Sequence, residues 1–189
     1  PESVPRVLDD LSILRLCVVR WYRHWQEEGQ PFVDFAHYPA KSVATSSVHD
    51  SSTLRLWWLS ESDAADFYRD FPPKEEEGDI EPGIYTPDTA RYLLSRIAGA
   101  ASNFCIHPIQ DFLALDAAYY NSDPEQERVN IPGSVNEFNW TYRLPVTVEE
   151  LSQHKEFHSA IKELAGIHKK AAAGSAKKAG SSRGTPREG

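Results

Sequence analysis

The chain has no methionine and two cysteines in 189 residues. Cys17 and Cys105 lie in apolar contexts (Leu16-Cys17-Val18 and Phe104-Cys105-Ile106) and far apart in sequence, which reads as two buried free thiols in a reducing compartment rather than a disulfide. The seven histidines are scattered, and no spacing of Cys and His suits a metal. No apolar run is long enough to span a bilayer, and the amino terminus shows no charged-then-apolar signal pattern. These absences point to a cytoplasmic chain with no membrane role. Without a signal pattern, the acceptor triplet Asn139-Trp140-Thr141 is not expected to carry a glycan.

Positive charge is scarce except at the end. The net charge is -8, yet residues 169–189 carry Lys169, Lys170, Lys177, Lys178, Arg183 and Arg187 against Glu188 alone, leaving about -13 on the rest. So acidic a body repels phosphate backbones, and nucleic acid is not expected as its ligand, although the basic tail alone could touch polyanions weakly. The terminal stretch is built from Ala, Gly, Ser and Lys with no aromatic residue, and disorder is expected for 169–189.

Aromatic residues are plentiful, with five Trp, eight Tyr and eight Phe. Several stand beside polar groups, as in Trp21-Tyr22-Arg23-His24-Trp25 and Phe138-Asn139-Trp140-Thr141-Tyr142. Such clusters suit the apolar faces of sugar rings, and they suit core packing equally well. With 40% hydrophobic residues the chain has enough apolar surface for one soluble domain, placed at residues 1–168.

Apolar periodicity predicts helices over 1–14, 52–68, 86–100 and 147–168, the third opened by Thr86-Pro87 and the last by the capping box Thr147-Val148-Glu149-Glu150. Short apolar or β-branched runs at 16–21, 42–48 and 104–109 read as strands, the first of them covered on both faces. Alternating helix and strand define an α/β protein, and three strands are too few to close a barrel. The change of character falls at Ser47-Val48-His49-Asp50-Ser51-Ser52-Thr53, where a strand gives way to a helix. Loops at the carboxyl ends of parallel strands face the ligand crevice, which makes His49 and Asp50 candidates for chemistry. Asp50 and Ser51 could equally cap the following helix.

Three blocks carry a resemblance. Ser47-Val48-His49-Asp50-Ser51-Ser52-Thr53-Leu54-Arg55-Leu56-Trp57-Trp58 is similar to the histidine–aspartate motif of the 4-alpha-glucanotransferases, the amylomaltase or disproportionating-enzyme family. Pro108-Ile109-Gln110-Asp111-Phe112-Leu113-Ala114-Leu115 resembles a second family segment, and Arg128-Val129-Asn130-Ile131-Pro132-Gly133 with Asn139-Trp140-Thr141-Tyr142-Arg143 resembles a third, in the family's order. The resemblance implies a (β/α)8 barrel with retaining chemistry on three carboxylates, no cofactor, and maltooligosaccharides or other α-1,4-glucans as substrate. Asp50 matches the carboxylate that holds sugar hydroxyls and stabilises the transition state, and His49 matches the neighbouring histidine that binds the sugar in the cleaved subsite.

Other residues of these blocks keep two readings. Asn130 and Asn139 could bond to hydroxyls or shape the turn at Pro132-Gly133. Asp111 could cap its own helix or bind. Trp57 and Trp58, inside a helix, are expected to pack. Nothing matches the family's nucleophile, its acid/base or the first strands of its barrel, so the expected assignment is the carboxyl-terminal third of such an enzyme, with strands six to eight. The absence of methionine agrees with that. The alternative is a non-catalytic glucan-binding or regulatory protein derived from the barrel; the sequence leaves the oligomeric state open.

Overall fold

A computed structural model describes residues 3–181, with side chains described to Gly174. Helix α1 (Ser3–Asp10) leads into strand β1 (Arg15–Val18), and β2 spans Ser42–Thr45. Helices α2 (Leu54–Ser60), α3 (Asp63–Asp70) and α4 (Pro87–Ala98) follow, then β3 (Phe104–Cys105), α5 (Ile109–Leu113), α6 (Val148–Gln153) and α7 (Lys155–Ser181). The three strands form one parallel sheet in the order β1-β2-β3, as an α/β alternation requires.

Register explains which side chains reach the core. Cys17 pairs with Ala44, and Ala44 with Cys105, so these three share the face that the helices cover. Leu16, Val43 and Phe104 occupy the opposite face in one row, where Leu16 is 60% and Phe104 49% exposed. Covering of β1 on both faces was the expectation from its apolar run; among the described residues the second face is open at Leu16 and covered at Val18, which is 5% exposed. Both cysteines are free, Cys17 buried and Cys105 partly so.

The core lies between the covered face and the helices. Leu54, Trp57, Trp58, Phe67, Tyr92, Leu93, Leu94 and Ile97 are its largest fully buried members. Trp57 and Trp58 pack as expected, and each indole N–H has a partner: Trp57 donates to Asp63 Oδ1 at 2.7 Å, and Trp58 to the Glu81 and Ile84 carbonyls. The bond to Asp63 accounts for one departure from expectation. The helix foreseen over 52–68 breaks between Ser60 and Asp63, where Ser60 Oγ bonds back to the Leu56 carbonyl and the turn brings Asp63 under Trp57.

Strand β1 stops at Val18 because Arg20, 4% exposed, turns inward and donates to the Ser52 carbonyl at 3.0 Å and to Glu61 at 3.4 Å. Thr86 caps α4 and Thr147 caps α6, both with reciprocal capping boxes. The last helix is interrupted at His154, which accepts from Phe157 N through Nδ1 and meets Asp116 Oδ2 through Nε2 at 2.8 Å. Helix α7 continues to Ser181, into the stretch for which disorder is expected, where alanines and lysines are strong helix formers. Residues 182–189 lie outside the described residues. No helix among the described residues is long and apolar enough to cross a membrane.

Candidate active site

The turn between β2 and α2 is held from below by one buried carboxylate. Asp111, 1% exposed on α5, accepts from Ser46 Oγ at 2.5 Å, from Ser47 Oγ at 2.8 Å and, through its other oxygen, from the Leu54 backbone N–H at 2.9 Å. Burial pushes its pKa up, and the two hydroxyls, the Leu54 amide and Arg20 pull it back. Asp111 thus satisfies an orphan donor at the start of α2 rather than capping α5, whose N-cap position is Pro108 without a side-chain bond. Gln110 likewise turns inward, donating to the Glu127 carbonyl at 3.3 Å.

With the serines engaged below, His49 and Asp50 stand at the top of the turn. Their side chains are 57% and 49% exposed, and His49 Nε2 lies 3.3 Å from Asp50 Oδ2. The cap of α2 is Thr53, whose hydroxyl accepts from Leu56 N at 3.3 Å, so Asp50 is not needed for that purpose. Ser51 bonds within the turn, to Val48 N and O.

A second loop, residues 129–141, closes over this pair. Asn130 Nδ2 donates to Asp50 Oδ1 at 2.7 Å. At the other end of the loop the Trp140 ring lies 5.2 Å from that of His49, centroid to centroid. The loop is pinched so that both ends meet: Trp140 N donates to the Val129 carbonyl at 2.7 Å, and Asn139 Oδ1 accepts from Ile131 N at 3.0 Å. The Asn139 amide nitrogen donates to the Ser134 carbonyl, so both ends of this side chain are used inside the loop. Gly133 takes the left-handed φ of 76° that the turn after Pro132 demands. Trp140 adopts φ of 67°, a costly conformation for a bulky side chain, and the residue is 64% exposed.

Beneath the loop, Arg55 binds Glu127 at 2.5 Å and lies over the Tyr120 ring. Burial pushes the Glu127 carboxyl up, opposed by the Asn121 N–H and Arg55. A cavity of about 160 Å³ lies between Glu127 and His49, lined in part by Ser47, Gln110 and Val129.

The structure therefore brings together three of the four residues singled out by sequence, His49, Asp50 and Asn130, and sets Asn139 behind them. Sequence reasoning missed Trp140, which lay inside a recognised block; its neighbours Asn139 and Thr141 gave no sign that the backbone would turn left-handed there. Chemically, Asp50 has one oxygen on an amide donor and the other beside an imidazole, and each oxygen keeps a further lone pair. A carboxylate so fixed can accept two vicinal hydroxyls. No group of three or more His, Cys, Asp or Glu able to hold a metal occurs among the described residues.

A parallel sheet with polar side chains gathered on the loop beyond a strand's carboxyl end defines an α/β protein of the kind that binds ligand at that rim. Residues 1–148 match the family model described as 4-alpha-glucanotransferase, and the chain belongs to that family. It is 32% identical over 168 residues to a 4-alpha-glucanotransferase of Chlamydia muridarum, covering 87% of this chain and 30% of the relative. It is 30% identical over 167 residues to 4-alpha-glucanotransferase DPE2 of Oryza sativa subsp. japonica, covering 87% and 17%. The fold matches part of an amylomaltase from Streptococcus agalactiae, solved in complex with acarbose, with a TM-score of 0.63 at 18% identity over 89% of this chain and 30% of that one. The chain thus spans about 30% of the bacterial relatives it matches.

Proposed function

We propose that this chain supplies the His49–Asp50 portion of a retaining 4-alpha-glucanotransferase, a cytoplasmic enzyme that moves α-1,4-glucan segments between maltooligosaccharides without a cofactor. The observation that carries this reading is the Asp50 carboxylate, exposed at a strand's carboxyl end and held by Asn130 rather than spent on capping a helix. The streptococcal relative's complex with acarbose supports a saccharide as the ligand.

In this reading the three strands are the sixth to eighth of a (β/α)8 barrel. Asp50 accepts hydroxyls of the sugar whose bond is cleaved. As positive charge develops on the flattening ring, those bonds strengthen, so the carboxylate acts selectively on the transition state. His49 donates to the same sugar, and Asn130 keeps Asp50 from turning away. Asn139 serves by closing the loop that carries Asn130. Retaining transfer also needs a nucleophile and an acid/base carboxylate. No segment of residues 1–189 resembles either family motif, and we assign both to sequence that precedes this portion in the complete enzyme.

Incubation with maltotriose, followed by chromatography of the oligosaccharides, tests this. The complete encoded protein is expected to form longer and shorter maltooligosaccharides, and the 189-residue chain alone is expected to form none. Transfer by the short chain at the rate of an intact family member would overturn the assignment of the missing carboxylates. Binding without transfer by the complete protein would favour a glucan-binding protein instead.

A further inference from the structure

We infer that Trp140 is a saccharide platform, its indole face offered to an α-1,4-linked glucose unit beside the sugar that Asp50 holds. The inference rests on the proposed function and extends it to a residue that determines subsite affinity.

Three observations converge on this side chain. Trp140 is 64% exposed, whereas Trp57 and Trp58 are each 1% exposed, so its ring is not part of the core. Its backbone sits at φ of 67°, where a bulky side chain is disfavoured, and it is held there by the bond from its own N–H to the Val129 carbonyl. Its ring lies 5.2 Å from His49, tilted by 39°, on the same rim as Asp50 and Asn130. Backbone strain at Trp140 is poorly explained by packing within this chain, where the residue gains little burial in return. It is well explained if the turn aims the ring at a ligand. An indole face beside a carboxylate and an amide matches a glucose unit, which presents apolar C–H faces edged with hydroxyls. The ring can stack while Asp50 and Asn130 engage hydroxyls of the adjoining unit.

The test uses Trp140→Gly and Trp140→Phe in the complete encoded protein, with maltotriose kinetics and thermal melts side by side. Glycine removes both the ring and the strain. It is expected to raise KM about tenfold, with a smaller effect on kcat, while the melting temperature holds or rises. Phenylalanine keeps a ring and is expected to restore most of the affinity. A purely structural Trp140 predicts the reverse, a lower melting temperature with unchanged KM, and that result would overturn the inference. Unchanged KM with an unchanged melt would overturn it as well. Should Asp50→Asn leave turnover intact, the proposed function fails; should Asp50→Asn abolish turnover while Trp140→Gly binds normally, only this inference does.

Discussion

Asn130 Nδ2 sits 2.7 Å from Asp50 Oδ1, a bond that joins residues eighty apart in sequence and orients the exposed carboxylate from above. Asp111 orients the same turn from below, through Ser46, Ser47 and the Leu54 amide. The two anchors do different work. One faces the solvent and the ligand, while the other is buried and belongs to the fold.

Asp50→Asn in the complete protein is therefore expected to leave the melt unchanged, because Thr53 and not Asp50 caps α2. Turnover should fall by two to three decades, corresponding to a loss of about 3–4 kcal/mol of transition-state stabilisation. KM should change little. His49→Ala should act mainly on KM and lower the rate by a smaller factor. Steady-state kinetics beside calorimetry separate these outcomes, and near-normal turnover of Asp50→Asn would show the pair to be structural.

Asp111→Ala should behave in the opposite way. It leaves two hydroxyls and the first amide of α2 without their partner in a buried setting. A loss of about 3 kcal/mol is expected in urea unfolding. Activity should fall in parallel with the folded fraction.

His107 introduces a pH dependence. Its Nδ1 meets Ser46 Oγ at 2.8 Å and its Nε2 meets Cys105 Sγ at 3.2 Å. Burial, with a further contribution from His168, pushes its pKa down to about 4. The unfolded chain, with an ordinary imidazole near 6.5, then binds more protons than the fold between these values. Stability should be complete above about pH 6.5 and fall as the pH drops toward 4, by up to about 3 kcal/mol. Melting temperatures across that range should show a shallower decline in His107→Gln, and an equal slope would rule the histidine out as the cause.

Helix α7 is fastened by its first half. Phe157, Ala160 and Leu164 are buried, and Ile167 packs against the core. Leu164→Ala should cost about 2–4 kcal/mol. Deleting 169–189 should change the melt little, because those apolar anchors precede the cut. A loss of several degrees on deletion would show that this stretch docks.

Much of this architecture was readable from local chemistry. The Thr86-Pro87 and Thr147–Glu150 signals mark helix starts because their side chains satisfy nearby backbone groups, and both starts stand in the fold. Strand positions were legible for the same reason, though each strand is shorter than its apolar run. What cut them short is tertiary: Arg20 folding onto Ser52, and Asp111 drawing Ser46 and Ser47 off the sheet. Prominent residues at the site, His49 and Asp50, could be found from their place after a strand. Their partners could not, since Asn130 and Trp140 reach them only through a loop whose closure depends on Asn139 and on a left-handed backbone.

The row Leu16–Val43–Phe104, with Ile106 58% exposed just beyond it, lies between two strand edges that lack neighbours among the described residues. Apolar surface of this kind, framed by unsatisfied backbone groups, recruits whatever strand it meets. For this chain kept on its own in solution, shelf life becomes a matter of encounter frequency. Protein concentration, more than melting temperature, is then the quantity that decides how long a sample stays monodisperse.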